Sequence, residues 1–131
     1  MTPIPVTTGM LDDFLPFLAW HFAEFTKGGQ ISSGTMIEQL RSGQRQLWVA
    51  WEDGIRCAVL TMVLDDLRKT VLVSHGAGEG MQDWVGLWPV IEDWARDIGA
   101  DCIEVNARPG WERVLRDYGL KKTHVVLEKR L

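Results

Sequence analysis

The densest run of glycines in the chain offers phosphate-binding chemistry. It reads Ser74-His75-Gly76-Ala77-Gly78-Glu79-Gly80, directly after the apolar run Val71-Leu72-Val73 and before a helical pattern that begins at Met81. Glycine lets backbone N–H groups turn inward without interference from a Cβ atom, and a helix N-terminus adds further donors and a partial positive charge. The succession of strand, glycine-rich turn and helix therefore predicts a site for a phosphate-bearing ligand.

Two common phosphate-binding motifs do not fit this run. A nucleotide P-loop needs a lysine and a hydroxyl residue directly after its last glycine, and Met81-Gln82 stand there instead. A dinucleotide-binding turn needs its third glycine one residue later than Gly80. In addition, only about 50 residues follow, which is too few for a doubly wound parallel sheet.

The cysteines and histidines of the sequence indicate no second functional site. Cys57 and Cys102 lie in apolar, strand-like stretches without CxxC spacing, which favours small buried side chains over a disulfide or a nucleophile. His21, His75 and His124 are scattered without metal-ligand spacing, so we expect no metal site.

The elements that must position the glycine run follow from hydrophobic periodicity and turn signals. An edge strand is expected over residues 2–7, and the apolar residues of 10–25 keep helical spacing, with regular helix beginning near Asp13 because Pro16 interrupts the pattern. A capping box at Thr35 and Glu38 predicts a helix to Arg41. The remaining predictions are strands over 46–51, 55–64, 69–74 and 102–105, a hairpin at Asp53-Gly54, a long helix from Met81 to Ile98 kinked by Pro89, a helix over 111–118 and a final strand over 123–127. This order predicts one α/β domain over residues 1–131, with a mixed sheet flanked by helices.

Composition limits the classes of function. Of 131 residues, 46% are hydrophobic and 24% charged, as in globular proteins, and no apolar run approaches the ~20 residues of a membrane helix. The N-terminus lacks the pattern of a secretory signal, so we expect a cytoplasmic protein without a membrane partner. Residues 108–131 carry seven basic and three acidic side chains, which fits a solvated surface or a nearby anionic ligand. Aromatic residues do not interleave with these charges, and we expect no nucleic-acid partner.

The seven tryptophans admit two interpretations. Trp84 and Trp88 lie one turn apart on the apolar face of the long predicted helix, which favours a place in the core. Trp48 and Trp51 point to opposite sides of one strand, so at least one of them is a candidate for the surface. An exposed tryptophan patch would instead form a protein interface, including one between copies of the chain.

Over nearly its whole length, the predicted order of elements resembles that of GNAT-type N-acetyltransferases. Members of that superfamily hold the pyrophosphate of coenzyme A with an (Arg or Gln)-x-x-Gly-x-(Gly or Ala) turn after the central strand, and His75–Gly80 falls on this pattern. Glu104-Val105-Asn106-Ala107 resembles the family's next strand, which ends in Asn, and Trp111–Leu120 resembles its closing helix and glycine. The stretch from Arg108 to the end is also similar to small GNAT-like proteins encoded by bacteriophages.

The resemblance implies acetyl-CoA as the acyl-donating co-substrate and an amine as acceptor. Main-chain groups of Leu72, Val73 and Ser74 would pair with the pantetheine arm as an added strand does. N–H groups of residues 76–81 would bind the pyrophosphate, and Arg113 or Arg116 would reach the adenosine. The implied cofactor-binding residues are Leu72, Val73, Ser74, His75, Gly76, Ala77, Gly78, Glu79, Gly80, Met81 and Asn106.

The chain departs from the family pattern at its charged and catalytic positions. His75 replaces the Arg or Gln and is mostly neutral at pH 7, and Glu79 places a carboxylate beside the expected pyrophosphate. The tyrosine that acts as general acid in the family corresponds to Leu115 in this chain, and Tyr118 lies one turn further on. For a general base, the sequence offers Asp65, Asp66 and Glu104, whose ordinary interpretation is as turn acids and a solvated strand face.

Two hypotheses of different class remain open. One is an acetyl-CoA-dependent N-acetyltransferase that acts on a small amine or a protein amino group. The other is a catalytically degenerate GNAT-like fold kept as a binding or structural protein. If encoded by a phage, it would act in the host cytoplasm or the virion. Its partner would be a phage or host protein, or further copies of the chain.

Overall fold

A five-stranded mixed sheet organises the computed structural model, which describes residues 1–78, 80–107 and 110–131. The strands are β1 (Thr2–Val6), β2 (Arg45–Trp51), β3 (Ile55–Asp65), β4 (Lys69–Gly78) and β5 (Cys102–Val105). They lie in the order of the sequence, with three antiparallel junctions followed by a parallel pair of β4 and β5. The predicted mixed sheet flanked by helices is confirmed.

Helices cover both faces of the sheet and create two cores. They are α1 (Leu11–Phe14), α2 (Ala19–Phe25), α3 (Ser33–Ser42), α4 (Met81–Val85), α5 (Trp88–Asp97) and α6 (Trp111–Leu115). Helices α1 to α3 pack on one face with Leu47, Val49 and Leu60, which we call the first core. Helices α4 to α6 pack on the other face with Trp48, Val59 and Val71, which we call the second core. None of the helices in the described part of the chain has the length and apolar character to cross a membrane.

A β-bulge at Ser74 changes which residues of β4 face each core. Val73 pairs with Thr61 but His75 pairs with Leu60, so Ser74 is the extra residue on its strand. Before the bulge, Val71 and Val73 face the second core, whereas beyond it Ala77 faces the first core. The odd-numbered residues thus change sides at Ser74, and Gly76 and Gly78 come to face the second core.

Three helices differ from the sequence predictions at their ends. The expected helix over 10–25 breaks into α1, a 3₁₀ turn over 15–17 that contains Pro16, and α2, because proline cannot continue a hydrogen-bonded helix. The N-cap of α3 is Ser32, whose Oγ accepts a hydrogen bond from the Thr35 amide at 3.2 Å, so the predicted capping box at Thr35 is wrong. Similarly, the long helix over 81–98 is two helices, with Pro89 in the first turn of α5.

The final strand predicted over 123–127 is absent. Residues 120–131 form no helix or strand, and Val125, Val126 and Leu127 are exposed. Strand-forming side chains stabilise a strand only where a neighbouring strand and a packed face receive them. In contrast, the predicted hairpin is confirmed, since Asp53 and Gly54 connect β2 to β3 with positive φ angles of 55° and 130°.

Candidate functional site

The two halves of β4 have different neighbours. Pairing with β5 reaches Val73, whose carbonyl oxygen accepts a hydrogen bond from the Asn106 amide at 3.0 Å. Pairing with β3 on the other side continues to Gly78. From His75 to Gly78, the edge of β4 that faces away from β3 therefore has no strand partner among the described residues, and we call it the open edge. Because successive residues of a strand direct their backbone groups to opposite sides, part of the amides and carbonyls of this stretch point to the open edge.

The glycine run is part of this strand and does not form the predicted turn. The sequence placed the end of the strand at Ser74, but β4 extends to Gly78, and Glu79 lies outside the described residues. Gly76, Gly78 and Gly80 are not among the glycines with positive φ. The prediction of an inward-turning cradle over residues 76–78 is therefore wrong as local structure, although the same residues border the open edge.

Gly76 and Gly78 allow close approach of other groups to the strand. A Cβ atom on Gly76 would lie 3.0 Å from Cη2 of Trp111 and 3.1 Å from Nε1 of Trp84. At Gly78 it would lie 3.0 Å from the backbone oxygen of Arg56. These glycines are required by packing, which is why the sequence pattern resembles a turn without being one.

A cleft of about 200 Å³ adjoins the open edge. Its walls come from α2, β3, β4, α4 and α6, and its lining residues are Trp20, Glu24, Cys57, Gly76, Ala77, Gly78, Gly80, Trp84 and Trp111. In the cleft, the predicted residues Gly76, Ala77, Gly78 and Gly80 lie beside side chains from distant parts of the sequence. His75 begins the open edge, and Leu72, Val73, Ser74 and Asn106 lie before or beside it. None of these five residues lines the cleft. Met81 begins α4.

Two tryptophans form the aromatic wall of the cleft. The ring centroids of Trp84 and Trp111 lie 5.3 Å apart, and Trp84 also stacks on Trp88. Nε1 of Trp84 is buried and has no hydrogen-bond acceptor among the described residues. A buried donor without an acceptor costs free energy. Nε1 of Trp88, which is not among the lining residues, has the same property, so this feature belongs to the packing of the second core.

Cys57 lines the cleft as an inert thiol. Burial, with a smaller contribution from the negative charge of Asp83, raises the pKa of the Cys57 thiol to about 12. The thiolate is the nucleophilic form of cysteine, and it is nearly absent at neutral pH with such a pKa. Both cysteines are free, in agreement with the prediction that neither forms a disulfide.

A buried polar cluster holds the bulge at Ser74. The guanidinium group of Arg45, which is only 9% exposed, donates from Nη1 to Ser74 Oγ at 2.7 Å and from Nε to Gln39 Oε1. Nδ1 of His75 lies 2.9 Å from the same Ser74 oxygen. Burial, followed by the positive charge of Arg45, lowers the pKa of His75, so its imidazole is neutral at pH 7. The side chains of Ser74 and His75 thus anchor the strand on the face of the first core.

The predicted catalytic candidates lie away from the cleft. Asp65 pairs with Lys69 at the opposite end of β4, and Asp66 lies in the turn that follows β3. Glu104 forms an ion pair with Arg68 at 2.8 Å. Tyr118 packs against Trp88, with ring centroids 6.3 Å apart, and is not among the lining residues.

Sequence reasoning missed the contribution of α2 to the cleft. Trp20 and Glu24 are four residues apart, which places them on one face of a helix. Neither residue belongs to the apolar stripe that the periodicity of residues 10–25 identifies. Their common position outside this stripe was the sign in the sequence that they form a second face of the helix. Which strand this face would meet depended on the sheet, and the sequence did not contain that information.

Comparisons with known proteins give the fold but no relative by sequence. No family model and no curated protein matches the chain. Among solved structures, a ribosomal-protein-alanine N-acetyltransferase from Brucella melitensis biovar Abortus 2308 is similar with a TM-score of 0.71 and 15% identity, over 100% of both chains. An aminoglycoside acetyltransferase from an uncultured soil metagenomic sample, in complex with sisomicin, has a TM-score of 0.72 and 14% identity over 99% of this chain and 95% of its own.

A third similar structure contains the expected co-substrate. It is a predicted acetyltransferase with acetyl-CoA from Clostridium acetobutylicum, with a TM-score of 0.70 and 12% identity over 98% of this chain and 95% of its own. At such identities the likeness extends to the arrangement of helices and strands only. The sheet, its helical layers and these neighbours together show that this chain has the fold of GNAT-type acetyltransferases.

Proposed function

We propose that the chain transfers an acetyl group from acetyl-CoA to an amine. The observation that carries the proposal is the open edge of β4, which borders an aromatic cleft in a fold shared over the full length with acetyltransferases. An open strand edge binds an amide-bearing chain by backbone hydrogen bonds without needing particular side chains. The proposal therefore does not depend on the family's arginine or glutamine at His75.

The residues at the cleft suit the acyl end of acetyl-CoA. When bound, this co-substrate supplies a thioester-activated acetyl group and two amides in its pantetheine arm. Backbone groups between Val73 and Gly78 would hold the arm, and the indole rings of Trp84 and Trp111 would contact its apolar part. A cleft of about 200 Å³ is smaller than the ~300–1,000 Å³ of sites for whole drug-sized ligands, so it suits only the reactive end.

In this proposal, the pyrophosphate of acetyl-CoA would bind at the start of α4. Gly80 is the N-cap of α4, and its backbone is extended with φ −164° and ψ 158°. The first N–H groups of a helix lack intrahelical acceptors, which leaves them available to a bound anion. The Asn106 amide donates a hydrogen bond to the Val73 carbonyl oxygen, and β5 separates from β4 beyond this bond.

Direct transfer to the amine fits the chemistry of the cleft. The protonated thiol of Cys57 cannot form an acyl-enzyme at neutral pH. An ammonium acceptor would first give one proton to solvent. The neutral amine nitrogen would then bond to the thioester carbonyl carbon, the carbon–sulfur bond would break, and coenzyme A would leave as a thiol with the second proton lost by the amine. Among the described lining residues, Glu24 is the carboxylate placed to attract that amine.

A second candidate is a GNAT-like binding or structural protein without activity, which a bacteriophage would encode. Its specific support is that Trp84 and Trp111 lie against Gly76, where they narrow the cleft beside the open edge. In addition, Leu115 is buried in the second core at the position of the family's tyrosine. Under this alternative, the exposed apolar residues would face a partner protein or another copy of the chain.

A thermal-shift titration with acetyl-CoA separates the two candidates, with inorganic phosphate as control. Binding to the folded state alone raises stability by RT ln(1 + [L]/Kd), so Tm should rise with acetyl-CoA and stay constant with phosphate. No rise up to millimolar acetyl-CoA would exclude the acetyltransferase proposal and leave the binding protein. Acetyl-CoA consumption with a panel of amines then tests catalysis itself.

A matched pair of variants at Gly80 locates the pyrophosphate. A Cβ atom on Gly80 meets no heavy atom within 4 Å, and Asp and Asn are both good N-caps, so both variants should fold. Both side chains would cap the same N–H groups and differ mainly in charge, so Gly80→Asp should bind acetyl-CoA about fivefold or more weakly than Gly80→Asn. Equal affinities would place the pyrophosphate elsewhere. Gly78→Asp is unsuitable, because its Cβ would press on the backbone of Arg56.

A further inference from the structure

We infer that the cleft recognises its acceptor as a primary ammonium group on a small apolar body, through Glu24. The inference rests on the proposed function for its catalytic meaning, but the recognition itself is a property of the free protein. Three observations carry it: the charge of the cleft, the lysine ammonium that already contacts Glu24, and the aromatic character of the walls.

The cleft has one charged side chain among its described lining residues. Glu24 is that side chain, and only 20% of it is exposed. The other lining groups are indole rings, alanine, glycine backbone and the protonated thiol of Cys57. A partly buried carboxylate in such surroundings attracts a cation more strongly than a surface carboxylate does, because less water screens it.

A lysine of the same helical segment shows which cation this carboxylate accepts. Nζ of Lys27 lies 2.6 Å from Oε1 of Glu24, although the Lys27 side chain is 68% exposed. The contact is therefore made by a primary ammonium at the end of a mobile, solvated stem. Because Glu24 also lines the cleft, a ligand ammonium that binds its carboxylate would compete with Lys27. Lys27 thus acts as an internal competitor that reduces the affinity of the site.

The walls define the body of the ligand. Trp20, which is 52% exposed, lines the cleft together with Trp84 and Trp111. Indole faces attract organic cations and stack on apolar or aromatic groups. A neutral alcohol of the same shape would contact the rings but not the carboxylate. The site should therefore distinguish an amine from the matching alcohol.

The probes are 2-phenylethylamine and 2-phenylethanol, which differ mainly in the ammonium group. Binding to the free protein is measured by calorimetric titration at pH 7 and by quenching of tryptophan fluorescence. The parent should bind the amine, and Glu24→Gln should weaken this at least about tenfold, because it removes a charge-assisted hydrogen bond. Lys27→Met should strengthen amine binding about 1.4- to 5-fold, the range released by a surface ion pair. Neither variant should change the binding of the alcohol.

The two variants should change the amine affinity in opposite directions, which makes the test specific. Glu38→Gln removes an equal charge from an exposed site on α3 and serves as the control for net charge. An unchanged amine affinity in Glu24→Gln, a weaker one in Lys27→Met, or no amine binding by the parent would overturn the inference. Acetyl-CoA titrated into the same proteins reports separately on the proposed function. Amine binding without acetyl-CoA binding would support the amine-recognition site and contradict the proposed acetyltransferase activity.

Discussion

The two halves of β4 differ in what surrounds them. The inner half, Lys69–Val73, pairs with β3 on one side and β5 on the other, and Val71 and Val73 are almost fully buried. The outer half, His75–Gly78, pairs only with β3 within the described part of the chain, and it borders the cleft. Ser74 separates the halves as the bulged residue. One strand therefore supplies both the centre of the core and the edge of the candidate site.

The difference shows how a rigid element can carry an open site. The inner half fixes the position of the strand through burial and two ladders, and the bulge then changes the faces of the residues that follow. The outer half remains in register with β3, while its other backbone edge has no strand partner among the described residues. The same comparison predicts that substitutions in the inner half affect stability and that those in the outer half affect binding.

The largest effect is expected in the inner half. Val71→Ala removes two methyl groups from a side chain that is 0% exposed, and it should lower the free energy of unfolding by about 2–3 kcal/mol through lost burial and a residual cavity. Urea denaturation followed by circular dichroism measures this. Val125→Ala, the same change at a residue 61% exposed, is the matched control and should cost less than about 0.5 kcal/mol. Similar costs for both would contradict the assigned burial.

The bulge is expected to depend on its polar cluster. Ser74→Ala leaves Nη1 of the buried Arg45 without its acceptor and should cost about 1.5–2 kcal/mol. Ser42→Ala removes an exposed hydroxyl that donates to the backbone of Gln39, and it should have little effect. The denaturation midpoints of the two variants provide the comparison. If Ser74→Ala matched Ser42→Ala, the cluster would not stabilise the bulge.

A pH dependence should distinguish His75 of the outer half. Its pKa in the folded state lies below the unfolded value of 6.5, owing to burial and then Arg45, so unfolding takes up a proton. Stability is therefore full above pH 6.5 and declines as the pH falls toward the lowered folded pKa. His21, whose pKa burial also lowers, adds to the same decline.

Unfolding measured from pH 7.5 to 5 in His75→Gln should show a shallower decline than in the parent, with the remainder due to His21. His124→Gln, at an exposed position of the C-terminal segment, should retain the full slope. An unchanged slope in His75→Gln would mean that this imidazole is not held neutral by its surroundings.

The smallest effect is expected in the labelling rates of the two cysteines, one of which lies beside each half of β4. Cys57 pairs with Gly78 of the outer half and Cys102 with Thr70 of the inner half. Cys57 is 1% exposed, with a thiol pKa of about 12, so a thiol reagent at pH 8 should label it more slowly than Cys102. Single-cysteine variants, Cys102→Ser and Cys57→Ala, allow each rate to be measured. Saturating acetyl-CoA should slow the labelling of Cys57 and leave that of Cys102 unchanged, and the reverse pattern would contradict the placement of the site.

Much of the fold was predictable because its signals are local. Asp53-Gly54 required a hairpin, the edge strand agreed with the prolines at 3 and 5, and Gly119 ended the last helical segment with a φ of 86°. The errors arose where two local signals competed. Pro16 and Pro89 lie within continuous apolar patterns, and in both places the missing N–H outweighed the periodicity.

The site itself was only partly predictable. The sequence identified Gly76, Ala77, Gly78 and Gly80, but it explained these glycines by turn formation, whereas the tryptophans packed against Gly76 and the backbone of Arg56 beside Gly78 require them. Trp20 and Glu24 approach the strand from the opposite face of the sheet, more than 50 residues away in sequence. A contact at that separation depends on how α2 packs, and no local pattern records it.

The sequence by itself determined the strands, the helical stripes and the order in which they follow, since these depend on periodicity and on the backbone preferences of glycine, proline and aspartate. Only the tertiary structure decided that β5 leaves β4 after Val73, that Ser74 is the bulged residue, and that Glu24 lies at the resulting cleft. The physical reason is that a strand edge becomes a binding site through the absence of a neighbour. That absence is settled when the whole sheet and its two helical layers pack together.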